Sequence, residues 1–287
     1  SRFASLVRTR TRKESRKIFS SMNIYEFEEF SEEAPRSGQI SVITEIDASK
    51  TNIVDIDLGD EEIPILPLRS MMPFPGTLLP INAGRSSSKR LMSDADKRGQ
   101  LIGVFSQKDD SVDSPLFDDL YHVGVLAKIV KLLDMPDGNR TALVQGLCRV
   151  NLPSTYMGNF YLMGRVEKNP ETIPSNRDRE VTAVGEGCRD VADKFIHIGE
   201  LQHIGSSFNL KNLPNKTFLI NFICANMPIS NSERISLLSE DNMSARAYRL
   251  LEILNREYQF ASLKANIQMR THEELSKQQR EYFLQQE

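Results

Sequence analysis

The chain has 287 residues, 39% of them apolar and 26% charged, with a mean hydropathy of −0.38. That length predicts about two domains, and the balance excludes a wholly disordered chain. Lys and Arg total 36 against 39 Asp and Glu, and the net charge of −3 argues against a dedicated nucleic-acid binder. No run of about 18 uncharged apolar residues offers a membrane span, so no membrane partner is expected. Cys148, Cys188 and Cys224 are widely spaced and odd in number, which reads as free thiols of a reducing compartment and excludes a disulfide scaffold.

Residues 1–20 set Arg2, Arg8, Arg10, Arg12, Lys13, Arg16 and Lys17 against a single acid, Glu14. Such a start has the composition of an organelle transit peptide or of a basic arm, and a solvated tail is the plainer expectation. Residues 26–62 reverse the sign, with twelve acids against Arg36 and Lys50. This stretch is expected to be mobile, because it has little apolar surface to offset the entropy of ordering. Within it, Ile53-Val54-Asp55-Ile56-Asp57 alternates as an added edge strand would.

From Ile63 the texture changes. Ile63-Pro64-Ile65-Leu66-Pro67-Leu68 is an apolar run whose two prolines suit an edge or entry strand better than a central one. Gly84 and the serines after it predict a polar helix start, and Leu101 to Ser106 predicts a strand. Val123, Val125, Ala127 and Ile129 alternate as a half-buried strand does. Ala142 to Val150 does the same after the turn Met135-Pro136-Asp137-Gly138, so residues 123–150 read as a hairpin. Phe160 to Val166 supplies one more strand.

Past Asn169-Pro170 and Pro174 the period lengthens. Val181, Val184, Cys188, Val191, Phe195 and Ile198 form one helical stripe, weakened in its first half by Gly185 and Gly187. Pro214 suits a helix first turn before Phe218, Leu219, Phe222 and Ile223, and Ser232-Glu233-Arg234-Ile235 opens a short helix. Ala247, Leu250, Leu251, Leu254, Tyr258 and Ala261 begin a long helix, with no Gly or Pro from Ser244 to Glu287. Later in it, Phe260, Leu263, Ile267, Leu275 and Tyr282 are spaced too unevenly for one regular seam. The start at Ser1 and the helix running to the last residue predict a piece of a longer protein.

Catalytic patterns are missing. His122 and His272 are isolated, and His197 and His203 lie about 240° apart on a helix, so no metal site is expected. Neither G-x-x-x-x-G-K-[ST] nor G-x-G-x-x-G occurs, and Gly185-Glu186-Gly187 falls inside a helical pattern. Ser86-Ser87-Ser88-Lys89 is no evidence for a Ser–Lys dyad, which is a spatial arrangement. The pairs Glu28-Glu29, Asp109-Asp110 and Asp118-Asp119 lie in polar stretches, without the burial that raises a carboxyl pKa. The chain reads as non-catalytic, with no catalytic, cofactor-binding or metal residues.

Five segments in order resemble the amino-terminal domain of the Lon family of ATP-dependent serine proteases, bacterial type. They are Ile63 to Arg69 with Phe74-Pro75-Gly76, Leu79-Pro80-Ile81 and Gly84-Arg85; Asp119 to Ala127; Met135-Pro136-Asp137-Gly138 with Leu143 to Val150; Asn226-Met227-Pro228-Ile229; and Gln279 to Leu284. The resemblance spans about 63–287, and departs from the pattern in the long prefix and in Ser86-Ser87-Ser88. It implies an α+β fold: a compact, mostly antiparallel pseudo-barrel, then a helical bundle ending in a long projecting helix. The expected divisions are 1–62 as an extension, 63–172 as the β subdomain, 173–243 as the bundle and 244–287 as the helix toward an ATPase module.

The function implied is capture of unfolded or damaged protein substrates and support of a hexamer. The implied parent also degrades regulatory proteins. ATP, Mg and the serine nucleophile belong to downstream modules that no residue here matches. A receptor for unfolded chains needs adaptable apolar surface, and the loop Arg69 to Gly76 suggests Met71, Met72, Phe74 and Leu78 as polypeptide-binding residues. The competing expectation packs them between sheet and helices. A free-standing adaptor on the same β domain is the alternative function. DNA is a weaker partner expectation, and the thiols and the resemblance imply the cytoplasm, with the mitochondrial matrix as alternative.

Overall fold

The computed structural model describes residue 58 and residues 61–284, apart from 135–139, 175–178 and 199–214; beyond residue 271, Glu274 is the one side chain described. The extension 1–57 with its Ile53–Asp57 strand, the 135–138 turn, His203 and Pro214 lie outside these residues. The strands are β1 (Ile63–Leu68), β2 (Leu78–Ala83), β3 (Ile102–Ser106), β4 (Val123–Asp134), β5 (Arg140–Met157) and β6 (Leu162–Lys168). The helices are α1 (Ser86–Arg98), α2 (Arg179–His197), α3 (Lys216–Asn226), α4 (Asn231–Ser239) and α5 (Met243–Leu284). The α+β class expected from the sequence is the class observed.

The six strands run in the order β2-β5-β4-β3-β1-β6, and β6 also pairs with β5, which closes a five-stranded barrel with β2 on its flank. The 18-residue β5 makes this closure. Its first part pairs with β2, from Ala83 opposite Arg140 to Leu78 opposite Gln145, and its last part pairs with β6, ending with Met157 opposite Leu162. Between them Pro153 falls in a register shift from Asn151 to Ser154, where an extra residue bends the strand and a missing N–H costs no ladder bond.

Two expectations are corrected here. β1 is no edge strand, because it lies between β3, to which it runs parallel, and β6. Each proline is registered in one ladder only, Pro64 opposite Met163 of β6 and Pro67 opposite Phe105 of β3, so neither is paired on both sides. The hairpin strands are also not half-solvated. Leu126, between the alternating Val125 and Ala127, is itself fully buried. Alternate residues enter two different cores: Ile65, Phe105, Leu126, Val150, Leu152, Leu162 and Val166 fill the barrel. Leu66, Val104, Val125, Ala127 and Val144 face the helices.

α3 lies at the centre of the helical part, with every residue from Phe218 to Asn226 buried. Asn215 caps it, accepting from the Phe218 N–H at 2.7 Å. α2 is helical through both of its weak glycines, and Gly187 lets α5 approach, since a Cβ there would stand 3.3 Å from Leu251. Hydrophobic packing is continuous across 172/173, from β-strand residues such as Leu66 through Phe74 to Phe222 and Leu250.

A polar joint ties the parts together. Arg149 of β5 and Arg246 of α5 are fully buried, and both meet Glu171, at 3.4 and 2.6 Å. Arg149 also donates to the carbonyls of Leu238 and Glu240 at 2.7 and 3.0 Å, and Arg246 donates to the same Glu240 carbonyl at 2.7 Å. The cations thus sit where the negative end of the α4 dipole emerges.

Removing Glu171 leaves Arg246 buried without its carboxylate and Arg149 with only Asp241, at 2.6 Å. Glu171→Ala is therefore expected to lower the unfolding free energy by about 3–5 kcal/mol. A reduced urea midpoint at unchanged slope would register this, and Glu171→Gln should fall between parent and alanine variant.

Candidate polypeptide-binding surface

The loop between β1 and β2 is held at both ends. Thr77, itself buried, accepts the Phe74 N–H and donates back to the Phe74 carbonyl, at 2.9 and 2.8 Å. Gly76 N–H donates to the Gly146 carbonyl and Gly146 N–H to the Thr77 carbonyl, each at 2.9 Å. A Cβ at Gly146 would lie 2.3 Å from the Phe74 carbonyl oxygen, so only glycine lets the loop seat on β5. From the helical side, Asn221 of α3 donates to the Pro75 carbonyl at 3.1 Å and accepts from Arg246 at 3.0 Å.

This seat removes most of the expected binding residues from the surface. Met72 and Phe74 are 0% exposed and Leu78 is 2% exposed, while Met71 is half-buried against the same core. The expectation that all four present themselves to a polypeptide is corrected for Met72, Phe74 and Leu78. Burying each such side chain contributes about 1.5–3 kcal/mol, so the loop packs its thioether and ring inward. At its start, Ser70 adopts φ +49°, and its carbonyl accepts from Arg234 at 3.4 Å. Arg234 also donates to the Met227 and Cys224 carbonyls at 2.9 and 3.2 Å, and burial lowers its pKa to about 10.

The accessible apolar residues are elsewhere. At the β5–β6 turn Tyr156, Met157 and Phe160 are all exposed, Phe160 by 58%. The turn is tight, with Gly158 N–H donating to the Tyr161 carbonyl at 2.9 Å. The Arg90 guanidinium of α1 lies 4.6 Å above the Phe160 ring and pairs with Asp94 at 3.2 Å. Tyr161 donates to the same Asp94 at 3.4 Å. The sequence reading missed this tip by starting the strand at Phe160, whereas β6 begins at Leu162. Gly158-Asn159 between two apolar runs was the hairpin signal that would have found it.

The polar groups give no sign of covalent chemistry. Burial pushes the Cys188 and Cys224 thiols up to about 12 and Cys148 to about 11. Asp109 is held below the usual carboxylate range by the Ser111 N–H, the reverse of what proton donation at neutral pH requires. Ser86, Ser87, Ser88 and Lys89 occupy successive positions in the first turn of α1, about 100° apart, so adjacent members point in different directions. Among the described residues no group of three or more His, Cys, Asp or Glu is placed to hold a metal, and no helix is long and apolar enough to cross a membrane.

A small closed barrel packed on a helical bundle, with exposed apolar side chains at the β5–β6 turn, defines a domain of mixed α and β structure. A family model of the ATP-dependent protease La (LON) substrate-binding domain matches residues 62–256, and the chain belongs to that family. The Lon protease of Parabacteroides distasonis is 41% identical over 246 residues, which cover 86% of this chain and 30% of that protein. The Lon protease of Porphyromonas gingivalis is 41% identical over 233 residues, 80% of this chain and 28% of the relative. The chain therefore spans less than a third of the length of these curated relatives. The solved N-terminal domain of a Mycobacterium avium complex Lon protease shares the fold at TM-score 0.53 and 16% identity, over 68% of this chain and 98% of that one.

Gly146→Ala is expected to unseat the loop, lowering stability by about 1–3 kcal/mol in thermal or urea unfolding and increasing binding of a dye that reports exposed apolar surface. The thiols yield a second expectation. With pKa values of about 11 to 12, all three are protonated at pH 8, so a thiol reagent should react slowly with the native chain and rapidly after denaturation.

Proposed function

We propose that this chain captures unfolded or damaged polypeptides for an ATP-dependent serine protease, without performing chemistry itself. The parent would bind ATP and Mg in a downstream module, hydrolyse clients in another, assemble as a hexamer and work in the cytoplasm. The family supports the class of function. The observation that carries the reading to this chain is the exposed cluster Tyr156, Met157 and Phe160 on a constrained turn.

An unfolded chain differs from a folded one by its accessible apolar side chains and unpaired backbone. A receptor that accepts many sequences needs apolar contact with little demand on exact shape. Met157 supplies an unbranched, polarisable side chain that can repack around different partners, and the two rings supply area at low rotamer cost. Met71, half-buried at the loop, would add a thioether at a second point. Weak contacts of this kind gain affinity when several copies of the module engage one client.

The test titrates the chain, without nucleotide, against a fluorescent protein held unfolded and against the same protein folded. Selective binding of the unfolded form is expected, and Met157→Ser with Phe160→Ser should weaken it about tenfold, equivalent to about 1.4 kcal/mol. Equal binding of both forms, or a double variant that binds as the parent does, would remove the proposal.

A further inference from the structure

Among the described side chains of α5 the last buried one is Ala261, and those beyond it leave the core. Phe260, Leu263 and Ile267 stand at i, i+3 and i+7, one face of that helix, exposed by 69%, 58% and 55%. Lys264 and Arg270 flank this face, and no acid occurs between Tyr258 and Thr271. The result is an apolar stripe with basic borders, long enough to hold several side chains of a partner. It lies outside the residues 62–256 matched by the family model.

The chain contains a segment of complementary chemistry. Tyr25-Glu26-Phe27-Glu28-Glu29-Phe30-Ser31-Glu32-Glu33 alternates three aromatic residues with five acids and has no basic residue. It is joined to the barrel by the 24 residues between Glu33 and Leu58, and Leu58 packs against the barrel core. A connection of that length reaches up to about 85 Å. The whole of α5 measures only about 63 Å at 1.5 Å per residue.

We infer that the Tyr25–Glu33 segment docks on the Phe260–Leu263–Ile267 face of α5 of the same chain. Its rings cover the apolar stripe, and its carboxylates meet the basic borders carried by Lys264 and Arg270. The pairing joins two parts of the sequence that are poor partners for water alone: a row of aromatics set among acids, and an amphipathic helix face beyond the core. Because the attachment is intramolecular, modest contacts suffice to hold it.

The absence of tryptophan from the sequence makes a direct test available in the full chain. Phe27→Trp introduces a single emitter, expected to fluoresce to the blue of a solvated indole and to resist acrylamide quenching. Adding Leu263→Asp, at a side chain outside the core, should shift the emission to the red and open it to quencher. Lys264→Glu with Arg270→Glu should do the same, as should high salt to a lesser degree. The inference is overturned by solvent-like emission in the parent, by a blue shift that survives Leu263→Asp, or by one that fades on dilution, since dilution would place the segment on a second copy. Client titration reads neither outcome, so this test and that of the proposed function fail separately.

Discussion

Two guanidinium groups withdrawn from water, Arg149 and Arg246, share one carboxylate and the carbonyl end of one helix. The desolvation of such groups costs several kcal/mol each, and it is offset only when nearly every donor is matched. The terminal guanidinium nitrogens meet that demand while both Nε atoms have no hydrogen-bond partner, and these contacts fix β5, the Glu171 segment, the end of α4 and the start of α5 against one another. The same Arg246 holds Asn221, and Asn221 holds the Pro75 carbonyl, so the β1–β2 loop belongs to the joint as well. A barrel and a bundle that could have been separate units are thereby one packed body.

That body leaves little of its apolar content for partners. The loop richest in thioether and aromatic character is consumed by the interface between sheet and helices, where Met72 and Phe74 complete the core. Among the described residues, the large apolar side chains left outside are those of the β5–β6 turn, those of α5 beyond Tyr258, and the separate Leu116, Ile173 and Tyr248. Binding by residual apolar surface differs from binding in a pocket. On the proposed reading it asks for defined placement of a few side chains, and Arg90 and Asp94 lie against Phe160 and Tyr161. It asks for no activated nucleophile, in keeping with thiols whose burial keeps them protonated.

The strands and helices were largely legible because their signals are local. Alternation marked β4 and β5, helical stripes marked α2 and α5, and the Ser230–Glu233 capping box marks the start of α4. Even Gly187, which weakens α2 on propensity alone, fits once Leu251 of α5 lies against it, whereas Gly185 meets no neighbour that would exclude a Cβ. The placement of side chains was less legible. An alternating strand looks half-solvated unless a second core exists, and the barrel interior is that second core. A proline-rich strand looks like an edge unless each proline is paired on one side only, as in β1.

The sequence by itself determined the element order apart from β2, the family to which the chain belongs and the absence of phosphate-cradle and nucleophile-elbow motifs, since composition, period and motif are properties of neighbouring residues. Tertiary structure alone decided that Arg149 and Arg246 meet over Glu171, that Met72 and Phe74 face inward, and that Phe160 does not. The reason is burial: whether an apolar or charged side chain is covered depends on segments 40 to 100 residues away in the chain, as from Phe74 to Gly146 or from Arg149 to Arg246.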